Sequence, residues 1–197
     1  EFLWNGADME AYGSIVAGGA NACVLHYREN NALLRDGELL LIDAGCQVDN
    51  YASDVTRTFP INGKFTASQK ALYEICLASQ KAAIGAAKPG ATWSDVQDVA
   101  FRTLTEGLIA VGLIKGGVDE ALAKNDHKRF CPHSISHWIG LDVHDSGRYR
   151  DGEKAVPFRP GMYFSVEPGI YINADEQSVG EEWRGIGIRI EDDVLIT

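Results

Sequence analysis

Four carboxylates and a cluster of histidines are the side chains of this sequence best placed to do chemistry. Asp43 ends the apolar run LLLID, Asp54 lies in YASDVTRT, Glu167 in YFSVEPG and Glu191 in GIRIED. An ionised acid within an apolar run is costly unless it is paired or bound to a cation. Taken singly, each acid is better explained by a salt bridge, most simply with Arg57 or Arg189. Three histidines within twelve residues, in HSISHWIGLDVHD from His133 to Asp145, change that balance. Imidazole is suited both to ligating transition metals and to moving protons near neutral pH. Four carboxylates close in charge with two divalent cations, giving a centre that can generate a hydroxide nucleophile at neutral pH. Four carboxylates with an imidazole and no thiolate make a hard ligand set. It suits manganese, with cobalt, ferrous iron or zinc also acceptable.

Positioning such a site requires rigid elements. Gly37–Gly45 (GELLLIDAG) reads as a buried strand, and Val48–Ile61 as its antiparallel neighbour. Thr66 with Gln69 and Thr92 with Asp95 are capping-box signals that open two helices. Leu72, Ile75, Cys76, Ser79 and Ala83 form the apolar stripe of the first, which Pro89-Gly90 ends. Val96, Val99, Ala100, Leu104 and Leu108 form that of the second. Gly116–Phe130 is polar and reads as a short helix with loops, with His127 exposed. His133 and His137 would share a helical face, but the alternation that follows fits a strand equally well. Pro160–Ile172 gives a strand interrupted by Glu-Pro-Gly, and GIGIRIEDDVLIT a final strand, in which Arg189 shares the face of Glu191 by parity. Each half of the chain thus has two acid-bearing strand segments, Asp43 and Asp54 in one and Glu167 and Glu191 in the other. That is a weak internal symmetry without any letter-by-letter repeat.

Size and composition narrow the function classes. A chain of 197 residues with 45% hydrophobic and 23% charged residues can bury one substantial core. The formal net charge of −10 leaves no basic stripe for a nucleic acid. No apolar run approaches the roughly 18 residues of a membrane span. The four cysteines form no CxxC pair, which argues against a zinc knuckle and for reduced thiols in the cytoplasm. The chain opens at Glu1 and stops after a strand-like run, so residues 1–197 read as a catalytic domain truncated at both ends.

The motifs DAG, SDVTRTFP, HSISHWIGLDVHD, SVEPGIY and GIGIRIEDDV, with HYRENN around His26, resemble the metallopeptidase family containing aminopeptidase P, prolidase and methionine aminopeptidase. The resemblance runs along essentially the whole chain, and it is closest to the proline-specific branch. It implies an α+β pita-bread fold of two pseudo-symmetric halves with the metals between them. It also implies hydrolysis of the bond between an N-terminal residue and a following proline. Carried over by position, Asp54 and Glu191 would bridge two metal ions, Asp43 would bind one, and His137 and Glu167 the other. Glu167 would also act as general base. His133 and His144 would hold the peptide and its oxyanion, and His26 would line the proline pocket or help in proton transfer. Arg189 and Tyr171 are further candidates for substrate contact. Ser134 stands where the family often has glycine. The resemblance further implies an N-terminal domain, absent from this chain, that supports a homo-oligomer. Two readings compete: a prolidase acting on Xaa-Pro dipeptides, and a non-catalytic pita-bread module that binds peptides. The latter would be expected to have lost ligands.

Overall fold

The capping boxes expected from the sequence are formed. In the computed structural model, which describes residues 1–197, Thr66 caps α1 (Ala67–Ala86) and Thr92 caps α2 (Trp93–Ala110). Each hydroxyl accepts from the backbone amide three residues on, and Gln69 and Asp95 reach back, satisfying otherwise orphaned donors. The two helices pack on each other through Leu72, Cys76, Ser79 and Ala83 on one side and Val96, Ala100, Leu104 and Leu108 on the other. Val99, expected on the second stripe, is exposed, while Phe101 and Thr105 are buried. At 3.6 residues per turn, Val99 lies roughly 140° around the helix from Leu104 and so misses the core. A short helix, α3 (Val118–Lys124), follows in the polar region. His127, expected to be exposed there, is only 3% exposed, with its ring against Phe101 at 4.3 Å between centroids.

The strands fall into small antiparallel groups. β1 (Met9–Glu10), β2 (Ile15–Gly18), β3 (Leu39–Asp43), β4 (Cys46–Val48), β5 (Tyr51–Ala52) and β6 (Thr56–Pro60) lie before the helices, with β3 between β2 and β6. The expected pairing of Gly37–Gly45 with its successor is therefore the β3–β6 ladder, in which Asp43 stands opposite Thr56. β4 and β5 turn the chain between them. A hairpin of β7 (Arg150–Asp151) and β8 (Lys154–Ala155) follows the helices.

Each of the two late apolar runs is a pair of strands. β9 (Tyr163–Val166) pairs with β12 (Asp192–Leu195), and β10 (Gly169–Ile172) pairs with β11 (Ile186–Arg189). Glu167 and Glu191 thus lie in the breaks, where the chain passes from one ladder to the other. Pro168, which has no N–H to give a ladder, marks the first break. The histidine segment is neither helix nor regular strand. It runs extended beside β9, with Trp138 bridging Phe164, Ser165 N donating to His137 O (3.0 Å) and Glu167 N donating to Ile135 O (2.7 Å).

Candidate metal centre

Asp43 closes β3, and the chain then doubles back so that Asp54 comes beside it. Gly45 makes the reversal feasible: a Cβ there would lie 1.8 Å from the Ser53 carbonyl oxygen, so no other residue fits without moving the backbone. From the second half, Glu191 N donates to Thr56 O (3.1 Å), and Thr58 Oγ1 both accepts from Arg189 N (3.2 Å) and donates to Arg189 O (3.0 Å). These bonds stitch β6 to β11 across the middle of the molecule. The extended histidine segment lies along β9 and supplies His137 from the far side.

The side chains converge. His137 Nε2 lies 3.3 Å from Glu167 Oε1, 3.5 Å from Asp54 Oδ2 and 4.0 Å from Glu191 Oε1. Its Nδ1 is 3.0 Å from the Trp138 carbonyl oxygen, which can only accept, so Nδ1 carries a proton. In the neutral ring the Nε2 lone pair therefore points at three carboxylates. A carbonyl that fixes the tautomer in this way is the usual outer support of a metal-ligating histidine. Glu191 is 1% exposed; Thr56 donates to its Oε2 at 2.6 Å, but Oε1 has no partner. The Tyr12 hydroxyl reaches both Asp43 Oδ1 (2.5 Å) and Asp54 Oδ1, offering one proton to two anionic oxygens.

Burial and mutual repulsion dominate the ionisation of the protein without metal. Burial pushes Glu167 up to about 7, and the neighbouring acids add to it. Glu191 is raised well above its ordinary range by complete burial and by the charges of Glu167, Asp54 and Asp43. Asp43 is also raised by burial, against the pull of Arg189. For His137, burial pulls downward, but the bond to Asp54 and the charge of Glu167 win, and the net shift is upward. The ligand atoms form three overlapping groups, each within 4.8 Å: Asp54, His137 and His144; His137, Glu167 and Glu191; Asp43, Asp54 and Glu191. An unpartnered buried carboxylate oxygen, one proton shared between two acids and an imidazole lone pair aimed at carboxylates are all relieved by cations. The residues present fit divalent metal.

Arg189 is the fixed cation of the site. Only 4% exposed, it donates from Nη2 to Asp43 Oδ2 (2.5 Å), from Nη1 to the Tyr171 hydroxyl (3.0 Å) and from Nε to Thr56 Oγ1 (3.2 Å). The salt-bridge explanation of the four acids therefore holds for Asp43 alone. Arg57 pairs instead with Asp192 at 2.5 Å. Tyr171 is buried, and its hydroxyl lies 2.9 Å from His133 Nε2, while His133 Nδ1 lies 2.8 Å from the Ser134 carbonyl. Both nitrogens of His133 are thus engaged, and burial drops its pKa to about 4, keeping it neutral. Behind Asp54, the Asp193 carboxylate accepts from Asp54 N (3.0 Å) and from the Tyr163 hydroxyl (2.6 Å).

A cavity of about 240 Å³ opens on this cluster, and of its twelve lining residues only Leu25 is apolar. His26, Asp43, Asp54, His133, His137, His144, Glu167, Arg189 and Glu191 all line it; Tyr171 stands behind the wall. Sequence reasoning missed Tyr12 and Asp193. Asp193 directly follows the IED run and could have been weighed with it. Tyr12 lies in a segment with no strand or helix signal, and only its long-range contacts reveal it.

The sequence profile of metallopeptidase family M24 matches residues 1–197. The Xaa-Pro aminopeptidase of Escherichia coli K12 is 48% identical over 197 residues, which are 100% of this chain and 44% of that protein. That of Haemophilus influenzae is 47% identical, again over 100% of this chain and 45% of its own length. The structure of Pseudomonas aeruginosa aminopeptidase PepP matches at a TM-score of 0.97 and 53% identity, covering 100% of this chain and 44% of that one. Zinc-substituted E. coli aminopeptidase P in complex with product matches at 0.94 and 48%, with coverage of 100% and 44%. The chain spans less than half the length of these relatives, and it has their pita-bread α+β fold.

Proposed function

This chain belongs to metallopeptidase family M24, and we propose that it carries the catalytic centre of an aminopeptidase that removes an N-terminal residue preceding proline. The observation that carries this reading is the convergence of four acids and the lone pair of His137 on one polar cavity, in a chain about half identical to Xaa-Pro aminopeptidases. Asp43, Asp54, His137, Glu167 and Glu191 would hold two divalent ions, with manganese the metal that best suits so hard a ligand set. When bound, the metal supplies Lewis acidity to the scissile carbonyl and acidity to a water nucleophile.

The chain's own residues do the rest. Glu167, whose carboxylate lines the cavity 3.3 Å from His137 Nε2, accepts a proton from the attacking water and later returns it to the leaving amine. Arg189 holds Asp43 in place and Tyr12 tethers Asp43 to Asp54, so the acids do not reorganise during turnover. His144 packs on His137 at 4.0 Å between ring centroids, is exposed and faces the cavity, which suits it to donate to the peptide oxygen. His26 faces the same space. His133 must exchange its bond from Tyr171 before it can reach substrate, so it and Tyr171 act first as supports. The four cysteines are unpaired, which supports a reducing, cytoplasmic location. A homo-oligomer of the full-length protein belongs to the same proposal.

The test is a peptide panel on the full-length protein reconstituted with manganese, cobalt or zinc. Cleavage of Xaa-Pro-Xaa tripeptides, weak action on Xaa-Pro dipeptides and none on Xaa-Ala-Xaa is the expected result. Preference for the dipeptide would make the enzyme a prolidase, and neither metal uptake nor cleavage would overturn the catalytic reading.

A further inference from the structure

We propose that Asn30 is a positioning residue for His26: its side chain fastens the loop that carries His26 to the strand edge beside Asp43. This rests on the proposed place of His26 in the substrate cavity. The rings of His133 and His137 are held by hydrogen bonds, whereas the exposed ring of His26 has none, although it lines the same cavity. The position of His26 is therefore set by its backbone. That backbone lies in residues 24–38, which contain no helix or strand.

Near His26 the loop is fastened at two points. Next to His26, the Tyr27 ring is buried with Ile15, Ala17, Ala22 and Leu41. Three residues further on, Asn30 Nδ2 donates to Ser14 O and its Oδ1 accepts from Val16 N, both at 2.8 Å. β2 is the edge of its sheet, so Ser14 O and Val16 N are the kind of open groups that a further strand would pair. The Asn30 amide takes the place of one peptide unit of that missing strand. Its grip falls on both sides of Ile15, the residue paired with Asp43 across the β2–β3 ladder. The same two bonds thus tie His26 to the strand that aligns the Asp43 carboxylate. Asn30 has a φ of 48°, a left-handed conformation that asparagine and glycine tolerate better than most residues. Position 30 therefore asks for a residue that accepts this backbone and also offers a donor and an acceptor.

The experiment compares Asn30→Gly and Asn30→Asp with wild type in the full-length protein. Glycine keeps the backbone conformation and deletes both bonds. Aspartate keeps the acceptor for Val16 N and loses the donor to Ser14 O. Histidine ring signals are followed by NMR on protein labelled at its histidine rings and loaded with diamagnetic zinc, with the His26 signal assigned by its loss in His26→Ala. Turnover of an Xaa-Pro-Xaa peptide is measured on manganese-loaded protein. Loss of two neutral hydrogen bonds should lower the equilibrium constant for seating the loop about tenfold. Asn30→Gly should shift or broaden the His26 signal while sparing those of His133 and His137, and lower kcat/KM about tenfold with manganese affinity unchanged. Asn30→Asp should fall between. In the His26→Ala background, Asn30→Gly should cause no further loss. An unmoved His26 signal, or an equal loss of kcat/KM with and without His26, would overturn the proposal. If wild type cleaves no such peptide, the functional reading fails, and the His26 signal still decides the role of Asn30.

Discussion

Replacing Arg189 with Met tests how the site balances its charge. The side chain is 4% exposed and makes three bonds, to Asp43 at 2.5 Å, Tyr171 at 3.0 Å and Thr56 at 3.2 Å. Methionine conserves much of the volume but leaves Asp43 with the Tyr12 hydroxyl alone, and that hydroxyl is shared with Asp54. Breaking a buried ion pair by removing one partner costs about 3–5 kcal/mol. At about 2–4 °C per kcal/mol for a domain of this size, metal-free protein should melt roughly 6–20 °C lower. In the metal-loaded protein, cations restore positive charge beside Asp43, and the loss should shrink to less than half of that. Arg189→Lys keeps the charge but cannot make three directed bonds, so it should fall between. The assay is calorimetry of wild type and both variants, with chelator and with manganese. A drop of less than about 2 °C in the metal-free R189M protein, or equal drops with and without metal, would refute the view that Arg189 compensates the carboxylates.

Three further outcomes are expected. Burial pushes Glu167 up to about 7 and also raises Asp43 and Glu191, so the folded metal-free protein holds protons that the unfolded chain has released. Glu167 alone should contribute about 3 kcal/mol of stability that is fully present below about pH 4.5 and largely lost by about pH 7, while His133, lowered by burial to about 4, contributes in the opposite sense over the same window. The difference in urea unfolding between wild type and Glu167→Gln isolates the first contribution and should move against wild type as pH rises; a difference that stays level or moves the other way would contradict this, and manganese should flatten or reverse the trend. Tyr12→Phe removes the one proton lying between Asp43 and Asp54 while leaving the fold intact, and should weaken manganese binding about 10–100-fold by calorimetric titration; unchanged affinity would deny Tyr12 a supporting role. His127 buries two ring nitrogens without partners against Phe101, and burial lowers its pKa. His127→Phe should therefore be neutral or stabilising by about 1 kcal/mol in denaturant unfolding, and a loss larger than that would mean those nitrogens are satisfied in solution.

What could be read from the sequence followed the physics of each signal. Asp43, Asp54, Glu167, Glu191 and His137 stood out because acids and imidazole amid apolar residues demand an explanation, and all five meet in space. The helix caps were legible because a capping box is local, complete within four residues. Local signals failed where the chain changes partner. A continuous apolar run does not reveal that β9 and β10 belong to different ladders, so Glu167 and Glu191 sit in breaks and strand parity says nothing of where they point. His127 misled because its neighbours Asn125, Asp126, Lys128 and Arg129 are polar, while its own ring packs inward on Phe101. Tyr12 left no trace in the pattern because its partners lie 31 and 42 residues away.

The same geometry divides the histidines by what their nitrogens are already doing. His137 gives Nδ1 to a carbonyl and turns Nε2 to the acids, so its free lone pair is the one placed to take a metal. His133 accepts from Tyr171 and donates to Ser134, and its low pKa means that it carries no charge to offer a developing oxyanion. A relay from Arg189 through Tyr171 to His133 makes the ring a fixed wall of the cavity before it is a substrate contact. His144 and His26 carry no such hydrogen bonds, one packed against His137 and the other carried on a loop pinned beside Asp43, so under the proposed function they are the two free to meet a peptide. Removal of the His144 side chain should therefore act on turnover with the metals still bound, whereas removal of His137 should act on metal occupancy first.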